Sequence, residues 1–290
     1  MKKIADSELV LNPDGSVYHL KLKNENIADD VIVVGDQGRV EMISKHFSKI
    51  EFKVQNREFV THTGIYKGKR ITALSTGIGT DNLDIVVNEL DAAVNIDLKK
   101  RVPLKKHRKL NIIRLGTSGA LQKDIAVDSM LMSAYGMGFD GLMHFYKDLP
   151  KINDKKLIKA FIKHSKWPKD LNTPYVIKAS KALEERLGNG LKKGITATAC
   201  GFYAPQGRIL RLNTEINDIN SILTSFKYGS ERITNFEMET SALYGLGQLL
   251  GHDTLTICTI VANRLQKKFS KDYKKAVEKM IVHTLEGLAK

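Results

Sequence analysis

Apolar residues in this chain fall into two patterns: short solid runs closed by glycine, and longer stretches with an apolar residue every third or fourth position. Val31-Ile32-Val33-Val34 and Asn111-Ile112-Ile113-Arg114-Leu115 are solid runs, which predict short strands buried on both faces. Glu58–Gly64 and Lys69–Ser75 alternate and predict a hairpin around Tyr66-Lys67-Gly68. Further strands are expected over 127–135, 194–200 and 255–261. Helical spacing starts near Val40 and returns over 83–95, where Leu83, Val86, Val87, Leu90, Ala93 and Val94 share one face. It recurs near 154–166, 180–187, 211–226, 241–250 and 270–288. The last of these places Ala276, Val277, Met280, Ile281, Thr284, Leu285 and Leu288 inward. Strands alternating with helices predict an α/β fold with helices around a mostly central mixed sheet.

The strand ends carry the chemistry. Val31–Val34 runs into Gly35-Asp36-Gln37-Gly38-Arg39, a strand–turn–helix junction whose backbone N–H groups can cradle an anion. Thr76–Asn82 is a second glycine-rich turn, and Gly116-Thr117-Ser118-Gly119 is expected to stop the strand that precedes it. Arg114 lies inside that apolar strand, so it needs either a structural ion pair or a bound anion. Glu237-Met238-Glu239 stands where a strand hands over to a helix with Thr240 or Ser241 as N-cap. In an extended strand Glu237 and Glu239 share a face. Glu239 suits a pair of vicinal hydroxyls, Phe202 suits stacking on a flat base, and Gln206 with Arg208 can read an edge of carbonyl and N–H groups. Arginines suit a tetrahedral anion because they offer several directed donors. Anion, sugar and base together suggest a nucleoside and phosphate.

Composition narrows the setting. The 290 residues include 42% hydrophobic and 27% charged positions, ordinary for a globular protein. A formal charge of +14 favours anionic partners. The lysine runs that carry it read as solvated faces. Cys200 and Cys258 lack metal-ligand spacing and fit a reduced compartment. The first residues break into charge before a signal core can form, and no run reaches the roughly 20 apolar residues of a membrane span. A cytoplasmic protein is expected, with no metal, no membrane and no nucleic-acid partner. A basic nucleic-acid-binding protein would explain the charge but not the ordered glycine and acid motifs.

Those motifs resemble the nucleoside phosphorylase family, most closely its uridine phosphorylases. Gly35-Asp36-x-x-Arg39-Val40 resembles the family's first phosphate turn. Ser75-Thr76-Gly77-Ile78-Gly79 and Arg114-Leu115-Gly116-Thr117-Ser118-Gly119-Ala120 resemble the next two signatures. Phe202-Tyr203-x-x-Gln206-Gly207-Arg208 resembles the base-reading loop, Glu237-Met238-Glu239 the ribose motif, and Asn263-Arg264 a later loop. The resemblance implies one domain over 1–290, a partly barrel-like mixed sheet flanked by helices, with insertions near 96–110 and 136–175. It implies that Gly35, Arg39, Arg114 and Thr117 bind phosphate, with Arg57 contributed by a neighbouring subunit. Met238, Glu239 and Thr117 would hold ribose, with His19 from the neighbour. Phe202, Gln206 and Arg208 would hold the base, while Glu237 and Arg264 support. Arg114, Thr117, Glu239 and Arg208 carry the chemistry in this reading, with inorganic phosphate as co-substrate and no cofactor. The implied assembly is a homodimer or larger homo-oligomer. The implied reaction is uridine plus phosphate giving uracil and ribose 1-phosphate. Alternatives are a purine or broad-specificity phosphorylase and a nucleosidase. Purine-preferring relatives often carry an Asp where Val261-Ala262-Asn263-Arg264 runs here, and a hydrolase has no need of a phosphate pocket. Some relatives bind potassium through positions matching Glu58, Ile78 and Asn82; a serine is usual at the last, so no metal is expected.

Overall fold

The computed structural model describes residues 3–290. Its strands are β1 (Asp30–Val34), β2 (Lys49–Asn56), β3 (Phe59–Tyr66), β4 (Lys69–Ser75), the short pair β5 (Ile96–Asp97) and β6 (Val102–Pro103), β7 (Asn111–Ala120), β8 (Met130–Gly138), β9 (Tyr175–Lys178), β10 (Lys192–Thr198), β11 (Lys227–Tyr228), β12 (Glu231–Glu237), β13 (Asp253–Asn263) and β14 (Lys268–Phe269). Helices are α1 (Gln37–Ser44), α2 (Thr80–Asn95), α3 (Leu149–Ile152), α4 (Lys155–Ser165), α5 (Lys181–Leu187), α6 (Ile219–Ser225), α7 (Thr240–Leu250) and α8 (Tyr273–Ala289).

β1 is buried at every position and lies between β4 and β7, parallel to both, as a run apolar on both faces requires. β4, β3 and β2 extend this arm by antiparallel pairing. On the other side the sheet continues β7-β13-β8-β10-β12, and β12 returns to β7 with Asn235 opposite Ala120. The five strands therefore close into a barrel, which removes their free edges. The helices pack around it, and α8 buries all seven residues of its expected stripe.

Several boundaries differ from the sequence reading. β7 runs straight through Gly116–Gly119 instead of stopping there, because β13 pairs with it along its whole length and holds the backbone extended. β2 was not expected; half of its positions are exposed and its apolar signal is weak. Within 211–226 only α6 is helical, with Asp218 capping it through Ser221 N. The segment 136–175 holds the end of β8, a 3-10 turn, α3, α4 and the start of β9. Segment 96–110 forms the β5–β6 hairpin, and Arg108 ties its end to Asp29 and the Ile27 carbonyl.

Candidate active site

The C-terminal ends of β1, β7 and β12 meet the turn before α2 around a cavity of about 870 Å³. Crevices outside the carboxyl ends of parallel strands are common ligand sites in α/β folds. Of the residues expected to act, Gly35, Arg39, Arg114, Thr117, Phe202, Gln206, Arg208, Glu237, Met238 and Glu239 line this one cavity.

At its deep end lies Arg114. Its guanidinium pairs with Glu239 through Nη2 and reaches Glu237 Oε2 at 3.2 Å through Nη1. The two acids meet it because β12 ends at Glu237, and Glu239 follows two residues later at the N-cap of α7. The expected cap by Thr240 or Ser241 does not form; the Glu237 carboxylate does that work from the preceding strand. It accepts from Glu239 N and Thr240 N at 3.0 Å, and from Thr198 Oγ1 at 2.7 Å. A carboxylate at a helix N-terminus is also favoured by the helix dipole. Glu239 Oε1 accepts from Gly79 N at 2.9 Å, which joins the second glycine turn to the acid pair.

All three charged groups are buried, and their charges constrain one another. Burial opposes the Arg114 charge, yet Glu239 and Glu237 hold the guanidinium above its ordinary pKa. Burial pushes the Glu239 carboxyl up, while Arg114 and the Gly79 amide oppose the rise. Arg39 differs. It is 8% exposed, donates to the Leu115 carbonyl at 3.0 Å, and makes no ion pair among the described residues. Burial lowers its pKa, and the neighbouring Arg114 lowers it further. A buried cation without a paired acid, with a second cation beside it on the same cavity wall, is an incomplete electrostatic arrangement that an anion would complete.

At the opposite end, Arg208 lies 3.6 Å from the centre of the Phe202 ring and donates to Gln206 Oε1 at 2.7 Å. Arg264 donates to the Gln206 carbonyl and to Asn220 Oδ1 at 2.9 Å, and stands over Phe236 at 5.3 Å. Burial, then the Arg208 charge, brings Arg264 down to about 10. Arg264 is thus behind the cavity wall and braces the loop that forms it.

Two expected residues are elsewhere. His19 bonds Glu89 at 2.6 Å, and its carbonyl accepts from Asn56 Nδ2 at 2.8 Å. Arg57 lies 5.9 Å from the Tyr18 ring. They form one patch together outside the cavity of their own chain.

The expected core placement of Cys258 holds, since it is fully buried; what the sequence did not show is that Cys258 and Thr198 touch the charged groups of the site. Cys258 pairs with Gly116 across the β13–β7 register, placing its Sγ 3.7 Å from Arg114 Nη1. Burial pushes its thiol up to about 11, so it is a neutral packing group there. Only the register reveals either role.

A closed barrel with a cleft at its strand ends, lined by paired acids and arginines, defines a ligand-binding α/β enzyme. The family model described as the Phosphorylase superfamily matches residues 29–288, and the chain belongs to that family. It is similar to the uridine phosphorylase of Thermococcus kodakarensis, 29% identical over 279 residues, covering 93% of this chain and 86% of the relative. It is also similar to a DeoD-type purine nucleoside phosphorylase of Oceanobacillus iheyensis, 29% identical over a shorter stretch of 248 residues, with 83% of this chain and 85% of the relative covered. A solved Trypanosoma brucei nucleoside phosphorylase, described as showing uridine phosphorylase activity, superimposes with a TM-score of 0.88 at 28% identity, covering 97% of this chain and 99% of that one. Family membership implies phosphate as co-substrate.

Proposed function

We propose that the chain is a uridine phosphorylase, converting uridine and phosphate to uracil and ribose 1-phosphate. The observation that carries this reading is Arg39, buried and without an acid, beside Arg114 on the cavity wall. Phosphate would bind between these guanidiniums, with the Gly35 backbone and Thr117 completing its shell. Ribose would rest on Met238, its hydroxyls donating to Glu239. The base would lie against Phe202 with Gln206 and Arg208 at its carbonyl edge.

In this arrangement the glycosidic bond stretches first and positive charge grows on the ribose. Phosphate below the sugar supplies the facing negative charge and then the nucleophile, so no side chain becomes covalently attached. Arg208 and Gln206 stabilise the negative charge on the leaving base. Glu237 holds Glu239 and Arg114 in register from the α7 N-terminus. His19 and Arg57 act on the neighbouring subunit's site in a homo-oligomer, which their shared position outside their own cavity supports.

The uracil preference rests on the Gln206–Arg208 pair and on the wall at Val261 and Ala262, which presents no carboxyl to a purine ring. Incubation with uridine, thymidine or inosine, each with and without phosphate, tests the whole reading by ultraviolet absorbance. Uridine should turn over only with phosphate, and faster than inosine. Base release without phosphate would replace the phosphorylase reading by a nucleosidase one.

A further inference from the structure

Residues 155–169 contain six lysines and no Asp or Glu. Lys155, Lys156, Lys159, Lys163, Lys166 and Lys169 are all exposed, and none forms an ion pair among the described residues. The nearest paired lysine in sequence is Lys151, which reaches Asp148 at 2.9 Å. Lys155, Lys159 and Lys163 are spaced four residues apart on α4, so they form a row with one charge about every 6 Å.

Helix physics does not favour this placement. Lys155 and Lys156 occupy the first turn, where the helix dipole is positive. Like charges four apart repel along the row. Lys166 ends the helix with φ at 49°, a left-handed position that glycine fills more easily. The helix is held in spite of these effects. Asp154 caps it through Leu157 N at 3.0 Å, His164 is anchored to the Ile222 carbonyl at 3.0 Å, and Leu157, Ile158 and Phe161 are buried in the core.

We propose that this face of α4 binds the phosphate backbone of nucleic acid without regard to sequence. A row of unpaired ammonium groups on one helix face complements one line of phosphates and gains by counterion release. The face has no exposed Phe, Tyr or Trp, and the His164 ring is tied to the Ile222 carbonyl, so bases are not read by stacking. The apolar side of α4 is spent in the core, leaving nothing to insert into a bilayer. It also lacks the apolar centre of a protein–protein interface. This departs from the expectation that the chain has no nucleic-acid partner, and it is independent of the reaction proposed above.

The test is fluorescence anisotropy of a labelled oligoadenylate RNA of about 20 nucleotides, titrated with the full chain from 50 to 200 mM salt. Binding should weaken steeply with salt. The K155E/K159E/K163E variant should lose at least tenfold in affinity, and its log–log salt slope should be shallower by about 2, roughly 0.7 for each contact removed. The K49E/K53E/K105E variant makes the same charge change on other exposed lysines and should keep most of the affinity. Far-ultraviolet circular dichroism and uridine turnover should match the parent in the α4 variant. The milder K155Q/K159Q/K163Q variant should weaken binding in the same direction. Absence of RNA binding at 50 mM salt overturns the proposal. So does an equal loss in both charge-reversal variants, or tighter α4-dependent binding to phosphatidylserine vesicles than to RNA.

Discussion

Arg114 and Glu239 form a buried ion pair across the barrel, joining the middle of β7 to the N-terminus of α7. Each is also the group that the proposed reaction needs, one for phosphate and the other for ribose. Removing one partner leaves a buried charge, which typically costs about 3–5 kcal/mol. R114Q should therefore lower the denaturation midpoint and abolish phosphate-dependent turnover. R114Q/E239Q should recover part of the stability but none of the turnover. Urea denaturation of both single variants and the double variant measures this, and strictly additive losses would show that the pair is uncoupled.

Gly116 is the close-approach point under Arg114. A Cβ there would lie 2.0 Å from Arg114 Nη1 and 3.0 Å from Cys258 Sγ. G116A should displace the guanidinium, raising the KM for phosphate more than the KM for nucleoside. An unchanged phosphate KM would mean the side chain moves aside without consequence for the site.

Arg208 is the donor placed to meet the leaving base. R208A should reduce uridine turnover by about 10²–10³-fold, the usual loss for a preorganised donor. The loss should shrink for nucleosides whose base is a better leaving group. Near-normal kcat in R208A would remove Arg208 from the reaction.

His19 and Arg57 give a test of site sharing. R57A and R114A should each be inactive as pure proteins. If sites are shared between subunits, unfolding and refolding the two together should restore activity in mixed oligomers, since some sites then have both wild-type residues. No recovery after verified mixing would confine each site to one chain.

Asp124 supplies a pH-dependent element away from the cavity. Arg232 bonds both of its oxygens, at 2.9 and 2.6 Å, and these bonds, despite partial desolvation, bring its carboxyl down to about 2 from 3.8. A depressed carboxylate contributes stability above its unfolded pKa and loses it as pH falls through the folded value. The contribution should thus be complete above pH ~4 and fade towards pH ~2. The pair is half-exposed, so the effect is small and salt-sensitive. Thermal midpoints of parent and D124N should converge across that window, and a constant gap would exclude the linkage.

The chain's local patterns determined much of this protein. The solid run at Val31–Val34, the seven-residue stripe of α8 and the glycine junctions at Gly35 and Gly79 depend on neighbours a few residues away, so periodicity and turn chemistry expose them. Candidate residues were legible for the same reason, because each motif is short. Their grouping came only with the tertiary structure. Arg114 and Glu239 are 125 positions apart, and they meet because β12 leaves β10 and returns to β7, a pairing no local pattern encodes. The same barrel register carries β7 through its glycines and slides Cys258 beneath Arg114. It also leaves His19 and Arg57 on an outer patch that does not line the cavity, although the Arg57 carbonyl accepts from Gln37 of the first glycine turn. Short-range physical chemistry chose the groups, and long-range strand pairing decided which of them share one cavity.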